Sequence, residues 1–382
     1  MTSEYRHIYD KYDTVPFLSA APKPRRLDAH SSRISGIRAA PWETHLNIAN
    51  SWAKRLAPYR VASNRRALFE IIVTAAPLLA LWLASWWLYH ISIFASLALA
   101  IPTAAFLVRL FLLQHDCGHL TMFTSKQAND WVGRVLGFFT LTPYDYWRHA
   151  HAQHHMGSGN LNRRGIGDIE TYTLAEYKAL SLFGRFKYRL YRNPLVLFGV
   201  GPIYVFLIAQ RLPRDTFTNG RAAWISVLGT NAALLVFAGL MMYLIGIPAF
   251  LVVHLPIVTL AAAVGVWLFY VQHQFDETHW SRPPEWSQEE AALHGSSYYD
   301  LPQPLMWLTG NIGIHHLHHL SSRIPFYRLP QVLKDYPDLK DVGRITLWQS
   351  FKCVNLAIWD EGSKKLISFR EAHRLMVAGE AI

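Results

Sequence analysis

His151-Ala152-Gln153-His154-His155 sets three imidazoles at i, i+3 and i+4, which share one face if the stretch is helical. The spacing returns at His315-His316-Leu317-His318-His319, and His115-Asp116-Cys117-Gly118-His119 adds two more at i and i+4. Neutral imidazole is a ligand for iron, copper or zinc. Imidazoles crowded together without a cation would suffer mutual repulsion and desolvation, so the clusters read as parts of one metal site. His115, His119, His151, His154, His155, His315, His318 and His319 are more donors than one ion can use, which implies two metals. The His-Glu-x-x-His signature of hydrolytic zinc sites is absent, as is the soluble di-iron bundle pattern of Glu together with two Glu-x-x-His motifs. What remains is a histidine-rich dinuclear centre suited to redox chemistry on an apolar substrate.

The elements that must position these clusters are long apolar stretches. The 382 residues are 51% hydrophobic and 14% aromatic, with a mean hydropathy of +0.10 despite a net charge of +11. That combination suits a membrane protein whose basic segments face anionic headgroups. The Lys and Arg residues are spread among the non-membrane segments with no recognition motif, which argues against nucleic acid as a partner. Residues 68–89, 91–113, 222–245 and 249–272 are each long enough to span a bilayer and form two tight hairpins. The expected fold is an all-α integral membrane protein: four transmembrane helices in two hairpins beneath a helical cytosolic cap that carries the histidines. Residues 1–66 form a cytosolic N-terminal region, 67–330 the membrane domain and 331–382 a cytosolic C-terminal tail. Each hairpin delivers a histidine at its inner end, His115 after the second span and His273 after the fourth.

The two hairpin turns hold no Lys or Arg, whereas residues 1–66 hold 12, 115–221 hold 13 and 273–382 hold 11. The positive-inside rule therefore puts every histidine cluster in the cytosol, and the expected location is the cell (inner) membrane. Cys117 and Cys353 are too few for a disulfide framework, and the polar N-terminus has no cleavable signal pattern. Residues 41–58 read as an amphipathic helix, either on the membrane surface or packed on the cytosolic body. Residues 131–141 are too short to span and read as buried or interfacial, and 195–209 as re-entrant or interfacial. Arg109, near the inner end of the second span, is expected to snorkel to the interface.

His115-Asp116-Cys117-Gly118-His119, His151-Ala152-Gln153-His154-His155 and Asn311-Ile312-Gly313-Ile314-His315-His316-Leu317-His318-His319 resemble, in order, spacing and flanking hairpins, the three histidine boxes of the membrane fatty acid desaturase family. The run from Gly159 to Asp168, with Tyr270-Val271-Gln272-His273-Gln274-Phe275, is most similar to bacterial acyl-lipid desaturases. The resemblance implies two non-heme irons bound by the boxes, O2 as co-substrate, and electrons from an external carrier, ferredoxin or similar. The substrate is then a fatty acyl lipid, the product a cis double bond, and no catalytic residue is needed beyond the metal ligands. His273 becomes an additional ligand, because the family places one after the fourth span; the alternative is a hydrogen-bonded interfacial histidine. Asp116 and Asp168 could orient ligating imidazoles through their free N–H groups; the alternative is an ordinary solvated or capping role. His149 and His316 read as supporting or surface residues, His279 and His294 as outlying groups, and His254 lies near the outer end of the fourth span. Trp147 and Arg148 take no catalytic role. The rivals are carotenoid ketolases, carotenoid hydroxylases and alkane hydroxylases, which use related histidine clusters, and a histidine-rich metal transporter. No charged or histidine residue lies at the middle of a span, which weakens the transporter reading.

Overall fold

The computed structural model of the chain describes residues 52–165, 167–213 and 216–380. The first hairpin is α1 (Asn64–Tyr89) and α2 (Ile93–Gly118), joined through His90–Ser92. Ser63 and Ser92 cap the two helices, each accepting from a backbone N–H three residues on. Near the turn Ser85 and Ser96 are both fully buried and hydrogen-bond to one another, small residues that let the two helices approach closely. Between the hairpins lie α3 (Lys126–Phe139) and α4 (Tyr144–Gly157), the strand β1 (Tyr172–Thr173), and α5 (Leu182–Tyr191). The second hairpin is α6 (Thr216–Ile245), bent at Gly220, and α7 (Ile247–His273), with Gly246 at φ 86° making the turn. Then follow β2 (Tyr298–Asp300), α8 (Gln303–Leu308), α9 (His315–Leu320), β3 (Arg344–Thr346), β4 (Leu356–Asp360) and β5 (Lys365–Ser368).

Among the described residues, four helices have membrane-spanning length and hydropathy, at Asn64–Tyr89, Ile93–Gly118, Gly220–Ile245 and Ile247–His273. At 26 residues α2 is about 39 Å long, more than the hydrocarbon core of about 30 Å. It is therefore long enough to extend beyond the bilayer, as is α7, of 27 residues. His115 and His273 lie at the ends of these two helices. α2 is the most enclosed of the four, packed between α1 and α7, while α6 exposes nearly its whole apolar surface.

The expectation of a mainly helical protein with four such helices holds, with two small sheets added. One has the order β1-β4-β5, with β1 parallel to β4 and β4 antiparallel to β5. The other is the parallel pair β2 and β3. Residues 331–382, read from sequence as a tail, thus contribute β3, β4 and β5 to sheets begun earlier in the chain. Of the amphipathic segment expected at 41–58, residues up to 51 lie outside the described part. Trp52 and Leu56 pack against the body, Trp52 edge-on to Tyr336 and Leu56 fully buried. α3 buries Asn129, Gly133, Leu136 and Gly137 and turns Trp131, Val135 and Phe139 outward. The expected re-entrant piece is Val196–Arg211, bent 57° from α5.

Arg109 departs from expectation. It is 1% exposed, and instead of snorkelling it donates to the carboxylate of Glu70, itself 1% exposed on α1. An opposite charge at the right height removed the need to reach the interface.

α3 lies against α4 through Gly133, where a Cβ would sit 2.2 Å from the Tyr144 ring. The Tyr144 hydroxyl donates to the Cys117 carbonyl at 2.8 Å, so this contact reaches the histidine-bearing end of α2. Gly133→Val should destabilise the protein: overpacking costs about 1–3 kcal/mol, against a gain in helix propensity below about 1 kcal/mol. Thermal unfolding of the purified variant should show a lowered midpoint.

Candidate metal centre

Nine histidines meet at the ends of α2, α4, α7 and α9, and they divide into two groups. His115, His119, His151, His155 and His318 form one, and His154, His273, His315 and His319 the other; in each, the ligand atoms lie within 4.8 Å of one another. α4 sends its i and i+4 rings, His151 and His155, to the first group and its i+3 ring, His154, to the second. α9 does the reverse, sending His318 to the first and His315 and His319 to the second. Two short helices thus serve both groups in complementary fashion.

Local sequence makes this convergence feasible. α9 has only six residues and no span of its own. It reaches the site through a tight approach at Gly313, where a Cβ would meet the Tyr299 carbonyl at 2.3 Å. Gln272, beside His273 on α7, donates to the Ile312 carbonyl at 3.0 Å and fixes the chain just before the third box.

Within the first group, Nε2–Nε2 separations are 3.0 Å for His119–His151 and 3.1 Å for His151–His155 and His155–His318. In the second they are 3.1 Å for His154–His273 and 3.0 Å for His273–His315. Two nitrogens about 2.1 Å from a shared ion at right angles stand about 3.0 Å apart, whereas tetrahedral geometry would spread them to about 3.4 Å. The spacing fits an ion with more than four neighbours. The Nε2 of His319 is buried with no hydrogen-bond partner. The donor sets, with this orphaned nitrogen in the second group, fit a metal in each.

Burial pushes His119, His151, His155, His315, His318 and His319 well below the ordinary imidazole value of 6.5, and neighbouring rings add to the shift for each. The rings are thus held neutral, the form that ligates a metal. Asp168 Oδ1 accepts from His154 Nδ1 at 2.5 Å, and the Gly295 carbonyl accepts from His273 Nδ1 at 3.2 Å. Each contact leaves Nε2 free to face the cluster. Asp116 is otherwise engaged: its Oδ2 accepts the Phe326 N–H at 2.8 Å, while Oδ1 lies 3.5 Å from His115 Nδ1.

Among the described residues, the remaining histidines stay outside both groups. His316 is fully buried and directs Nε2 to the Leu339 carbonyl at 2.9 Å. His149 contacts Gln153. His279 lies near Trp359 and His294 near Glu290, and His254 stacks on Phe250 within α7. Sequence reasoning missed the rings that abut the clusters. Trp147 stacks on His151 at 4.8 Å between centroids, and Phe269 lies 5.0 Å from His154 and 5.4 Å from His273. The signal was available in the spacing, since Trp147 and Phe269 each precede a cluster histidine by four residues on one helix.

Four membrane-length helices, two of which end at histidine groups that could hold a metal, mark the class of membrane protein with a candidate metal centre. The chain belongs to the fatty acid desaturase family, whose profile matches residues 91–348. It is 39% identical over 325 residues to a fatty acid desaturase of Bacillus subtilis (strain 168), covering 85% of this chain and 92% of that one. It is 28% identical to the sn-1 acyl-lipid omega-3 desaturase (ferredoxin) of Synechocystis, covering 63% of this chain and 68% of the relative. The sn-1 oleoyl-lipid 12-desaturase of the same organism is 26% identical over 59% of this chain and 64% of its own length. Family and relatives make the chain an oxidoreductase of the desaturase type, and the hydroxylase, ketolase and transporter readings are not favoured.

Two outcomes follow for the metal. Asp168→Asn should lower metal affinity roughly 10–100-fold, while His149→Ala leaves it unchanged; titration of the metal-free protein checks both. Acidification should weaken the fold that holds the metal. Below 6.5 the unfolded chain takes up protons that the folded rings refuse, so the stability of the metal-free protein falls as pH drops below that value. Thermal midpoints of the metal-free protein at stepped pH read this directly, and a midpoint that does not fall as pH drops below 6.5 would contradict it.

Proposed function

We propose that this protein is an O2-dependent di-iron desaturase that introduces a cis double bond into the acyl chain of a membrane lipid. His115, His119, His151, His155 and His318 hold one iron, and His154, His273, His315 and His319 the other. The carrying observation is the division of nine imidazoles, six buried and three half-buried, into two adjoining groups that share α4 and α9. Two irons bound there supply, with O2, the oxidising power to remove two hydrogens from an unactivated CH2–CH2 pair. Two electrons and two protons complete the conversion of O2 to water.

The chain's own residues set the conditions for that chemistry. The apolar helices below the clusters keep water from the reacting segment and receive an alkyl chain that offers no polar handle. Trp147 and Phe269 press against the two groups and give the chain a wall to lie on. Asp168 keeps the proton of His154 on Nδ1, so that Nε2 stays available as a donor.

The bilayer is the cell (inner) membrane and the clusters face the cytosol. The support is the charge asymmetry of the chain, with Lys and Arg outside the hairpin turns. Electrons come from a separate carrier; ferredoxin is the natural choice, since the name of one relative includes it.

Expression in a host with few unsaturated lipids, followed by mass spectrometry of its fatty acids, tests the proposal. New monoenoic or dienoic chains should form only with O2 and disappear in His319→Ala. Unchanged acyl chains beside oxygenated carotenoids or alkanols, in a host supplied with those substrates, would overturn it.

A further inference from the structure

Arg109 and Glu70 form a buried ion pair between α1 and α2 at the level just below the clusters. Such a pair is a poor way to join two apolar helices. Removing both charges from water is costly, and well-packed apolar residues of similar volume commonly serve as well or better. Its presence calls for another role, and the remaining contacts of Arg109 supply one. Nε donates to the Thr74 hydroxyl at 3.1 Å, Nη2 to Glu70, and Nη1 to the main-chain carbonyl of Trp307. The guanidinium also lies 3.9 Å from the centroid of the Trp307 ring and 5.5 Å from that of Phe326. Glu70 is held in turn by Arg66 at 2.7 Å, so the carboxylate is fixed from the other side.

Trp307 and Phe326 bracket the segment that carries the third histidine box. Both are tied to α2, Trp307 by Arg109 and the Phe326 N–H by Asp116. α2 also carries His115 and His119 of the first group, whereas the bracketed segment supplies His318 to that group and His315 and His319 to the other. A six-residue helix without a span of its own depends on such ties for its height above the membrane.

We propose that Arg109, anchored by Glu70, is a positioning residue that clamps the third-box segment to α2 and so sets both histidine groups against one another. The inference rests on the reading of those groups as metal sites. Arginine suits the task because its planar fork can donate to a carboxylate and a carbonyl at once while stacking on an indole. Lysine offers a single ammonium and cannot span the same three partners.

The test uses purified full-length protein, freed of metal and titrated with Co(II), whose visible spectrum reports both site count and coordination. In the paired variant Glu70→Leu/Arg109→Met no buried charge is left alone, so the fold should persist and the thermal midpoint of the metal-free protein should stay near wild type. Its Co(II) affinity should nevertheless fall roughly 10–100-fold. Arg109→Lys, which keeps the charge and the partner Glu70, should show the same direction of loss, and it serves if the paired variant does not fold. Wild-type Co(II) affinity and an unchanged spectrum in either variant would reduce Arg109–Glu70 to a link between two helices and overturn the proposal. A wild-type protein that takes up no Co(II) would overturn the metal reading together with it, an outcome distinguishable from the first.

Discussion

Everything in this molecule answers to the need to keep many uncharged imidazoles side by side in a space from which water has been removed. Protonation of any one would put a positive charge among its neighbours, so the rings must be buried deeply enough to stay neutral and aimed well enough to share a cation. Burial comes from the packing of α2 and α7 and from the residues folded over their ends. Aim comes from contacts behind the rings, such as Asp168 on His154 and the Gly295 carbonyl on His273.

The geometry of the α-helix explains how two short elements feed two groups. Residues at i, i+3 and i+4 lie on one face but not along one line, because a turn holds about 3.6 residues. The i+3 ring falls on one side of the i, i+4 pair. α4 and α9 use this offset in opposite senses, so the lone ring of each joins the paired rings of the other. The spacing predicts three rings on a shared face; the division into groups emerges only when the two helices confront each other.

What was legible in the sequence follows from this. The spans announced themselves through length and hydropathy, and the box histidines through spacing, because both are local properties. His273 became notable through its place at the end of a span. Three features escaped. Arg109 looked like a snorkelling residue because its carboxylate partner lies on a different helix, and no local pattern marks such a pairing. The sheets escaped because strands of two to five residues carry no readable period, and β1 and β4 are far apart in the chain. For Asp116 an orienting role and a solvated or capping one were both open; its bond to the Phe326 N–H comes from a fold-back that spacing cannot foretell.

The parallel pairing of β1 with β4 has a consequence for how the protein is made. β1 comes after the second histidine box and β4 after the third. Synthesis runs from the N-terminus, so both hairpins and all nine cluster histidines have emerged before β1 has a strand to pair with. Biogenesis thus has an unpaired stage and a paired one, and β4 ends the first although it supplies no ring to either group.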